Sequence, residues 1–302
     1  MLDGIPLVDA HVHTARLPTL KMSLEEWTGQ FEGGVEKLLR LYDDEGTMVP
    51  ARFDEYMASE GVDVAILFAE YSPKSTGIQA VEDMLPIIEH NPERFRLMAN
   101  LNPHLHYPLA AELKRQTSLG AVGLKLHPVH GSFPPNDRML YPAYAFCEME
   151  DLPIVFHCGT SVFPGATNRY ADPALIEDVA RDFPDLRLVL AHGGRGWWYD
   201  AAAFITLMRP NVHIEISGLP PKKLPDYYMN FNLQRLARKM IFGTDWPGVP
   251  GPKANARAVA DLGLERATLA RVLHENANRI YKLDHEKNPK HNPPTHDERH
   301  RP

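Results

Sequence analysis

Two imidazoles, His11 and His13, close the apolar run Ile5-Pro6-Leu7-Val8-Asp9-Ala10. In a strand, residues i and i+2 face the same way, so both rings project together from the C-terminal end of a first strand. Imidazole is the commonest protein ligand for zinc and similar ions. Alone the pair is a weak signal. It gains value because other strand-like runs also end in side chains that ligate metals, move protons or hold anions: Lys125, His157, His192 and Asp245. For any one of these histidines taken alone, a satisfied structural residue is the better reading, and for Asp245 alone a helix cap or turn role is equally good. Together they fall at equivalent ends of five separate strands, which chance explains poorly and a divalent-metal site explains well.

The elements that must position these residues alternate along the chain. Strand-like runs lie near 6–11, 62–68, 95–101, 121–126, 153–157, 186–192, 212–216 and 240–245. Helical patterns separate them, among them 77–90 with Val81, Leu85 and Ile88 at helical spacing, and 225–238. The segment Ser23–Thr47 reads as a long polar connection. Eight strand–helix units with near-continuous apolar strands argue for a parallel sheet covered on both faces. Their span of about 280 residues is the size of a (β/α)8 TIM barrel. An open doubly wound sheet would spread the ligand-type residues across a broad surface, whereas a closed barrel brings them together. Residues 1–283 are therefore expected to form one α/β barrel domain, and Asp284–Pro302, rich in His, Pro and charge, a disordered polar tail.

Bulk properties narrow the function. The chain has 302 residues, 44% of them hydrophobic and 24% charged, as expected of a globular protein. Lys and Arg number 32 against 39 Asp and Glu, a net charge of -7 with no strong basic run. That disfavours nucleic acid or an anionic membrane as a partner. No apolar stretch reaches the roughly 20 residues that cross a bilayer, and the N-terminus lacks the pattern of a secretory signal. Two cysteines, Cys147 and Cys158, give no disulfide framework. A cytoplasmic location is the expectation. Gly193-Gly194-Arg195-Gly196 lacks both nucleotide-binding glycine patterns, so close loop packing explains it better. Cys158 should point away from His157, towards the helices, as a buried thiol.

Four strings resemble a known family: Asp9-Ala10-His11-Val12-His13, Gly123-Leu124-Lys125-Leu126-His127-Pro128, Leu190-Ala191-His192-Gly193-Gly194 and Phe242-Gly243-Thr244-Asp245-Trp246-Pro247. They are similar to the amidohydrolase superfamily. More narrowly, they resemble its amidohydrolase-related branch, which includes aminocarboxymuconate-semialdehyde decarboxylase and gamma-resorcylate decarboxylase. His274-Glu275-Asn276-Ala277-Asn278-Arg279-Ile280-Tyr281 matches the usual close of that branch. The resemblance implies that His11, His13, His157 and Asp245 hold a divalent metal, zinc first and manganese as the alternative, with one or two ions per chain. It implies that His192 is the catalytic histidine, or a ligand of a second metal. Lys125 matches the position of a carboxylated, bridging lysine in two-metal members. A contact to a substrate anion, or an interior salt bridge, fits the same residue.

A divalent ion lowers the pKa of bound water from 15.7 to about 7 and polarises carbonyl oxygens. Asp245 is then the expected general base, with His192 stabilising developing charge or moving a proton. The leading expectation is a metal-dependent hydrolase of an amide, ester or lactone bond in a small molecule. The alternative is a metal-dependent, non-oxidative decarboxylase of an aromatic or unsaturated acid. A non-catalytic metal-binding barrel is a third reading. A carboxylated Lys125 between two metals favours hydrolysis, and a free lysine beside one metal favours decarboxylation. Candidate substrate contacts are Arg16, Glu70, His127, Arg169, Arg195 and Trp246, with Glu215 and Ser217 as supports behind the metal ligands. A homodimer is expected by analogy with related barrels, with Ser23–Thr47 covering either a neighbour or the mouth.

Overall fold

Strand β1 (Val8–Val12) pairs in parallel with β2 (Val64–Phe68). A short antiparallel hairpin follows, β3 (Glu70–Ser72) and β4 (Gly77–Gln79). The parallel sheet then continues through β5 (Phe95–Leu101), β6 (Ala121–Leu126), β7 (Ile154–Gly159), β8 (Leu188–Arg195), β9 (Val212–Glu215) and β10 (Met240–Ile241). The order β1-β2-β5-β6-β7-β8-β9-β10 makes one eight-stranded sheet. Its two ends meet through the backbone: Ala10 N–H donates to Phe242 C=O, Asp245 N–H to His11 C=O and His13 N–H to Trp246 C=O. The result is a TIM barrel, described by a computed structural model over residues 1–29, 31 and 33–284.

The side-chain period of two sorts each strand into an inner and an outer face. Val8, Ala10, Ile66, Phe68, Met98, Val155, Val189, Ala191 and Ile241 pack inside the barrel. Alternate residues such as Leu67, Leu97, Leu124, Phe156 and Leu190 pack outward against the helices. This is why the strands read as continuous apolar runs. Cys158 belongs to the outer layer, where burial pushes its thiol up to about 12. The helix Asn276–Tyr281 adds Ala277, Ile280 and Tyr281 to the inner cluster. Asn276 Nδ2 donates to the carbonyls of Arg238 and Met240, so this helix closes the end of the barrel where β10 begins. The opposite end, where the strands finish, stays open.

Three segments differ from the sequence reading. Gly77–Gln79 is a strand, and helix begins only after the 3₁₀ turn Val81–Met84. The residues pair with Glu70–Ser72 before the apolar spacing of 81–88 takes effect. The expected helix at 225–238 is two short pieces, Leu224–Tyr227 and Leu233–Ala237, with the second capped afresh by Asn232. The connection 23–47 contains the helical turns Leu24–Thr28 and Gly34–Leu39, and it buries Trp27, Phe31, Leu38, Leu41 and Tyr42. Phe31 meets the ring of Trp246 edge-on at 5.9 Å, which ties this segment to the barrel mouth. No helix among the described residues is long and apolar enough to cross a membrane. The tail expected over 284–302 lies outside the described residues except for Asp284.

The closing helix gives a stability prediction. Ile280→Ala should leave a cavity among Val8, Ile241 and their neighbours and cost about 2–5 kcal/mol. Urea unfolding of the two proteins measures this, and a midpoint equal to wild type would contradict the plug assignment.

Candidate metal centre and cavity

The site starts with one extra residue in β1. Against β2 the register runs Val8↔Val64, Asp9↔Ala65, then Val12↔Leu67, so β1 spends three steps where β2 spends two. Such a bulge re-aims side chains at a barrel rim. Val8 and Ala10 face inward, Val12 faces the outer layer, and the ring of His11 lies 4.3 Å from the inward Phe68. Asp9 pins the bulge. Its carboxylate accepts from His11 N–H (3.3 Å), Thr244 N–H (2.9 Å) and Thr244 O–H (2.7 Å). Burial pushes Asp9 up to about 7, and the Thr244 bonds oppose that rise.

Four side chains converge where the strands end. His11 Nε2 lies 3.1 Å from His13 Nε2 and 3.5 Å from Asp245 Oδ1, and His13 Nε2 lies 3.4 Å from the same oxygen. His192 joins them, with Nδ1 3.8 Å from Asp245 Oδ2. His11, His192 and Asp245 form a group whose ligand atoms lie close enough to share one ion. Both His192 and Asp245 sit in the left-handed region, at φ 68° and 69°, a conformation that costs free energy and concentrates at functional sites. Gly218 makes room for the cluster. A Cβ there would lie 2.6 Å from Arg195 Nη1 and 2.8 Å from Asp245 Oδ2.

Hydrogen bonds behind the rings fix which nitrogens are free. His192 Nδ1 lies 2.9 Å from the Ser217 carbonyl oxygen, which only accepts, so Nδ1 carries the proton and Nε2 the lone pair. His11 Nδ1 donates to Glu215 Oε1 at 2.7 Å, which turns the lone pair on Nε2 towards His13 and Asp245. A carboxylate behind an imidazole is the arrangement that orients metal-binding histidines. Burial, reinforced by nearby cations including Lys125 and Arg195, holds His11 and His192 well below the usual histidine range. Both are therefore neutral, the form that ligates metals. Burial raises the pKa of Asp245, but the surrounding imidazoles, His192 first, outweigh it and keep the carboxylate ionised.

The other sequence candidates fall in several places. His157 ends β7 beside His192, ring centroids 4.5 Å apart, but its Nε2 donates to its own Gly159 carbonyl at 3.0 Å. Only its Nδ1 is left with a lone pair. Lys125 is fully buried, its Nζ 4.8 Å above the Phe68 ring and without a hydrogen-bond partner. Burial lowers it to about 8, against the attraction of Glu215 and Asp245. Arg195 lines the cavity mouth, with Nη2 held on the Thr160 carbonyl at 3.1 Å and Nη1 3.9 Å from Asp245 Oδ2. Trp246 also lines it, its Nε1 donating to Tyr56 Oη at 3.2 Å. Arg16 and Arg169 are exposed outside the cavity lining, and the Arg169 guanidinium stacks on Tyr170.

The cavity over this cluster has a volume of about 690 Å³. Leu20, Met22 and Trp27 cover one side, and Phe163 and Leu219 add apolar surface. Another part of the wall is polar. Glu70 from β3 accepts from His130 Nδ1 at 2.7 Å and from the Thr76 hydroxyl. His130 Nε2 meets Ser161 Oγ at 3.0 Å, and His127 Nε2 lies 3.9 Å from Glu70. Sequence reasoning did not single out Asp9, Thr76 or Ser161 as site residues. Asp9 had a signal, as the carboxylate two residues before His11, whereas nothing distinguishes Thr76 or Ser161 from ordinary loop hydroxyls.

A family model described as amidohydrolase matches residues 8–283. No curated protein matches the chain. Among solved structures, a TIM-barrel protein of Bordetella bronchiseptica is 21% identical with a TM-score of 0.74, over 92% of this chain and 99% of that one. A dihydroxybenzoic acid decarboxylase of a Polaromonas species, with bound manganese and the inhibitor 2-nitroresorcinol, is 16% identical (TM-score 0.64; 92% and 97% covered). A probable 2-pyrone-4,6-dicarboxylic acid hydrolase of Acinetobacter baumannii is 16% identical (TM-score 0.60; 92% and 100% covered). At these identities the likeness is one of fold.

The role of Glu215 gives a test that needs no substrate. Glu215→Gln should weaken divalent-metal affinity about 10- to 100-fold, read by competition with a chromophoric chelator. Wild-type affinity in the variant would remove Glu215 as the group that orients His11.

Proposed function

The chain belongs to the amidohydrolase family, and from that premise we propose that it is a metal-dependent hydrolase of an ester, lactone or amide bond in a small, carboxylate-bearing molecule. The observation behind this reading is the meeting of His11 Nε2, His13 Nε2 and Asp245 Oδ1 at 3.1–3.5 Å on the cavity floor. Nitrogen and carboxylate donors with a backing carboxylate suit one zinc ion, and manganese tolerates the same set. His157 Nδ1 is a further donor in this proposal, reached by turning its ring off the Gly159 carbonyl. A divalent ion held here supplies a Lewis acid and an activated water.

The chain's own groups supply the rest. Asp245 is the proposed general base, because it is ionised and partly open to the cavity. His192 offers its Nε2 lone pair while Ser217 fixes Nδ1–H, so it is placed to take a proton and pass it to a leaving group. Arg195 is the proposed anchor for a substrate carboxylate. Its guanidinium faces the cavity half-buried, with the Thr160 carbonyl holding its orientation. Glu70, His127 and Trp246 are the further contacts proposed for the substrate.

One observation favours the second reading, non-oxidative decarboxylation. Lys125 Nζ and Glu215 Oε2 are both buried without hydrogen-bond partners, and each is the other's strongest opposing charge. An ammonium fits beside that carboxylate. A carbamate would set two anions together in a dry interior, so this position suits a lysine that stays uncarboxylated beside a single ion. The decarboxylase from Polaromonas, with its manganese, is consistent with that chemistry on the same fold.

A screen of lactones, acyl-amino compounds and carboxylated phenols separates the two readings when acid release and carbon dioxide release are followed together. The expected result is acid without carbon dioxide, and carbon dioxide alone would replace hydrolysis by decarboxylation. On the substrate so found, His192→Ala should keep its metal and lose about 10²–10⁴-fold in kcat. Unchanged turnover would remove His192 from the reaction.

A further inference from the structure

The polar wall formed by Glu70, His127, His130 and Ser161 has an order of its own. His130 Nδ1–H donates to the Glu70 carboxylate at 2.7 Å, and Thr76 supplies that carboxylate with a second donor. This leaves the lone pair of His130 Nε2 to accept the Ser161 hydroxyl proton at 3.0 Å. The serine is held on both sides. Its N–H donates to Asn168 Oδ1 at 2.8 Å, and its carbonyl accepts from Asn168 Nδ2 at 3.1 Å. Phe163 N–H reaches Ser161 Oγ at 3.3 Å, so the oxygen keeps one lone pair for the cavity. Carboxylate, imidazole and hydroxyl come from the segments that follow β2, β6 and β7, the end of a TIM barrel where catalytic groups gather.

A hydroxyl bonded to an imidazole that a carboxylate orients is the constellation of nucleophilic acyl transfer, recognised by geometry and roles rather than by sequence order. We propose that Ser161, His130 and Glu70 form a second, metal-independent acyl-transfer centre in this cavity, with Ser161 as nucleophile towards small activated esters. In the first step Ser161 Oγ bonds to the acyl carbon while its proton passes to His130 Nε2. The bond to the leaving oxygen breaks, and that oxygen takes the proton from His130. Water then attacks the acyl-serine, giving a proton to His130 Nε2, and the acid leaves as the proton returns to Ser161 Oγ. Glu70 is a positioning residue that keeps the His130 proton on Nδ1.

The same carboxylate and two histidines could be read as a second metal group. Their hydrogen bonds argue otherwise. Both nitrogens of His130 are engaged, and His127 Nδ1 accepts from Asn100 Nδ2 at 2.9 Å, which puts the His127 proton on Nε2, facing Glu70. No lone pair of either ring is free to meet an ion beside Glu70.

The test is covalent labelling of the 302-residue chain by a small fluorophosphonate, with and without prior chelation of metal, followed by intact mass and peptide mapping. The expected result is one adduct on Ser161, formed with loss of fluoride and at the same rate after chelation. Ser161→Ala should give no adduct, and His130→Gln, which keeps the serine, should label at least about 100-fold more slowly. No adduct on the wild-type protein, an adduct on another residue, or wild-type labelling of His130→Gln would each overturn the proposal. Metal content measured on the same samples keeps the two centres apart. Labelling that fails in metal-loaded protein counts against the relay alone, and metal that fails to bind in protein that labels counts against the metal reading alone.

Discussion

The 2.7 Å hydrogen bond from His11 to Glu215 is the constraint on which the metal-centre reading depends. It joins β1 to β9 across the barrel interior, from side chains that are both essentially inaccessible to water. It selects the His11 tautomer, and so decides that Nε2 is the nitrogen offered to His13 and Asp245. The bulge in β1 is what lets His11 reach inward at all, and Asp9 holds that bulge against Thr244. Thr244 adjoins Asp245, so one buried carboxylate sets both ends of the candidate ligand group. The cluster is therefore preorganised by bonds formed as the barrel closes.

This arrangement is expensive in solvation. Asp9, Lys125 and Glu215 are all removed from water near one another, and burial moves each towards its neutral form. Interiors tolerate such groups when charges are paired and polar atoms are satisfied. Lys125 and Glu215 answer each other's charge without a direct hydrogen bond, and each keeps one unsatisfied atom. A fold selected for stability alone would fill this volume with apolar side chains. Keeping charge here makes physical sense if the charges tune the groups that face the cavity.

Much of the barrel could be read from the chain because parallel strands covered on both faces leave long apolar runs, and because histidines and an aspartate end several of those runs. His11, His13, His192 and Asp245 were visible for that reason, and the structure brings them together. What was not visible has equally physical causes. A one-residue bulge leaves no trace in a pattern of alternation. Glu70–Gln79 is too short a hairpin to outcompete the helical spacing that follows it. Arg16 and Arg195 both follow strand ends in the sequence, but in the structure β8 extends through Arg195, which faces the cavity, whereas Arg16 lies beyond β1 and turns to solvent. Ser161 and Thr76 are small hydroxyl residues whose partners, His130 and Glu70, lie 31 and 6 positions away.

We propose that a single divalent ion sits among His11, His13 and Asp245. An anomalous-difference map from crystals of the metal-loaded protein, collected at the metal edge, tests it most directly. The account predicts one peak, about 2.0–2.2 Å from the donor atoms of those three residues. A peak among Glu70, His127 and His130 instead, or none in the cavity of a protein that elemental analysis shows to hold metal, would contradict it.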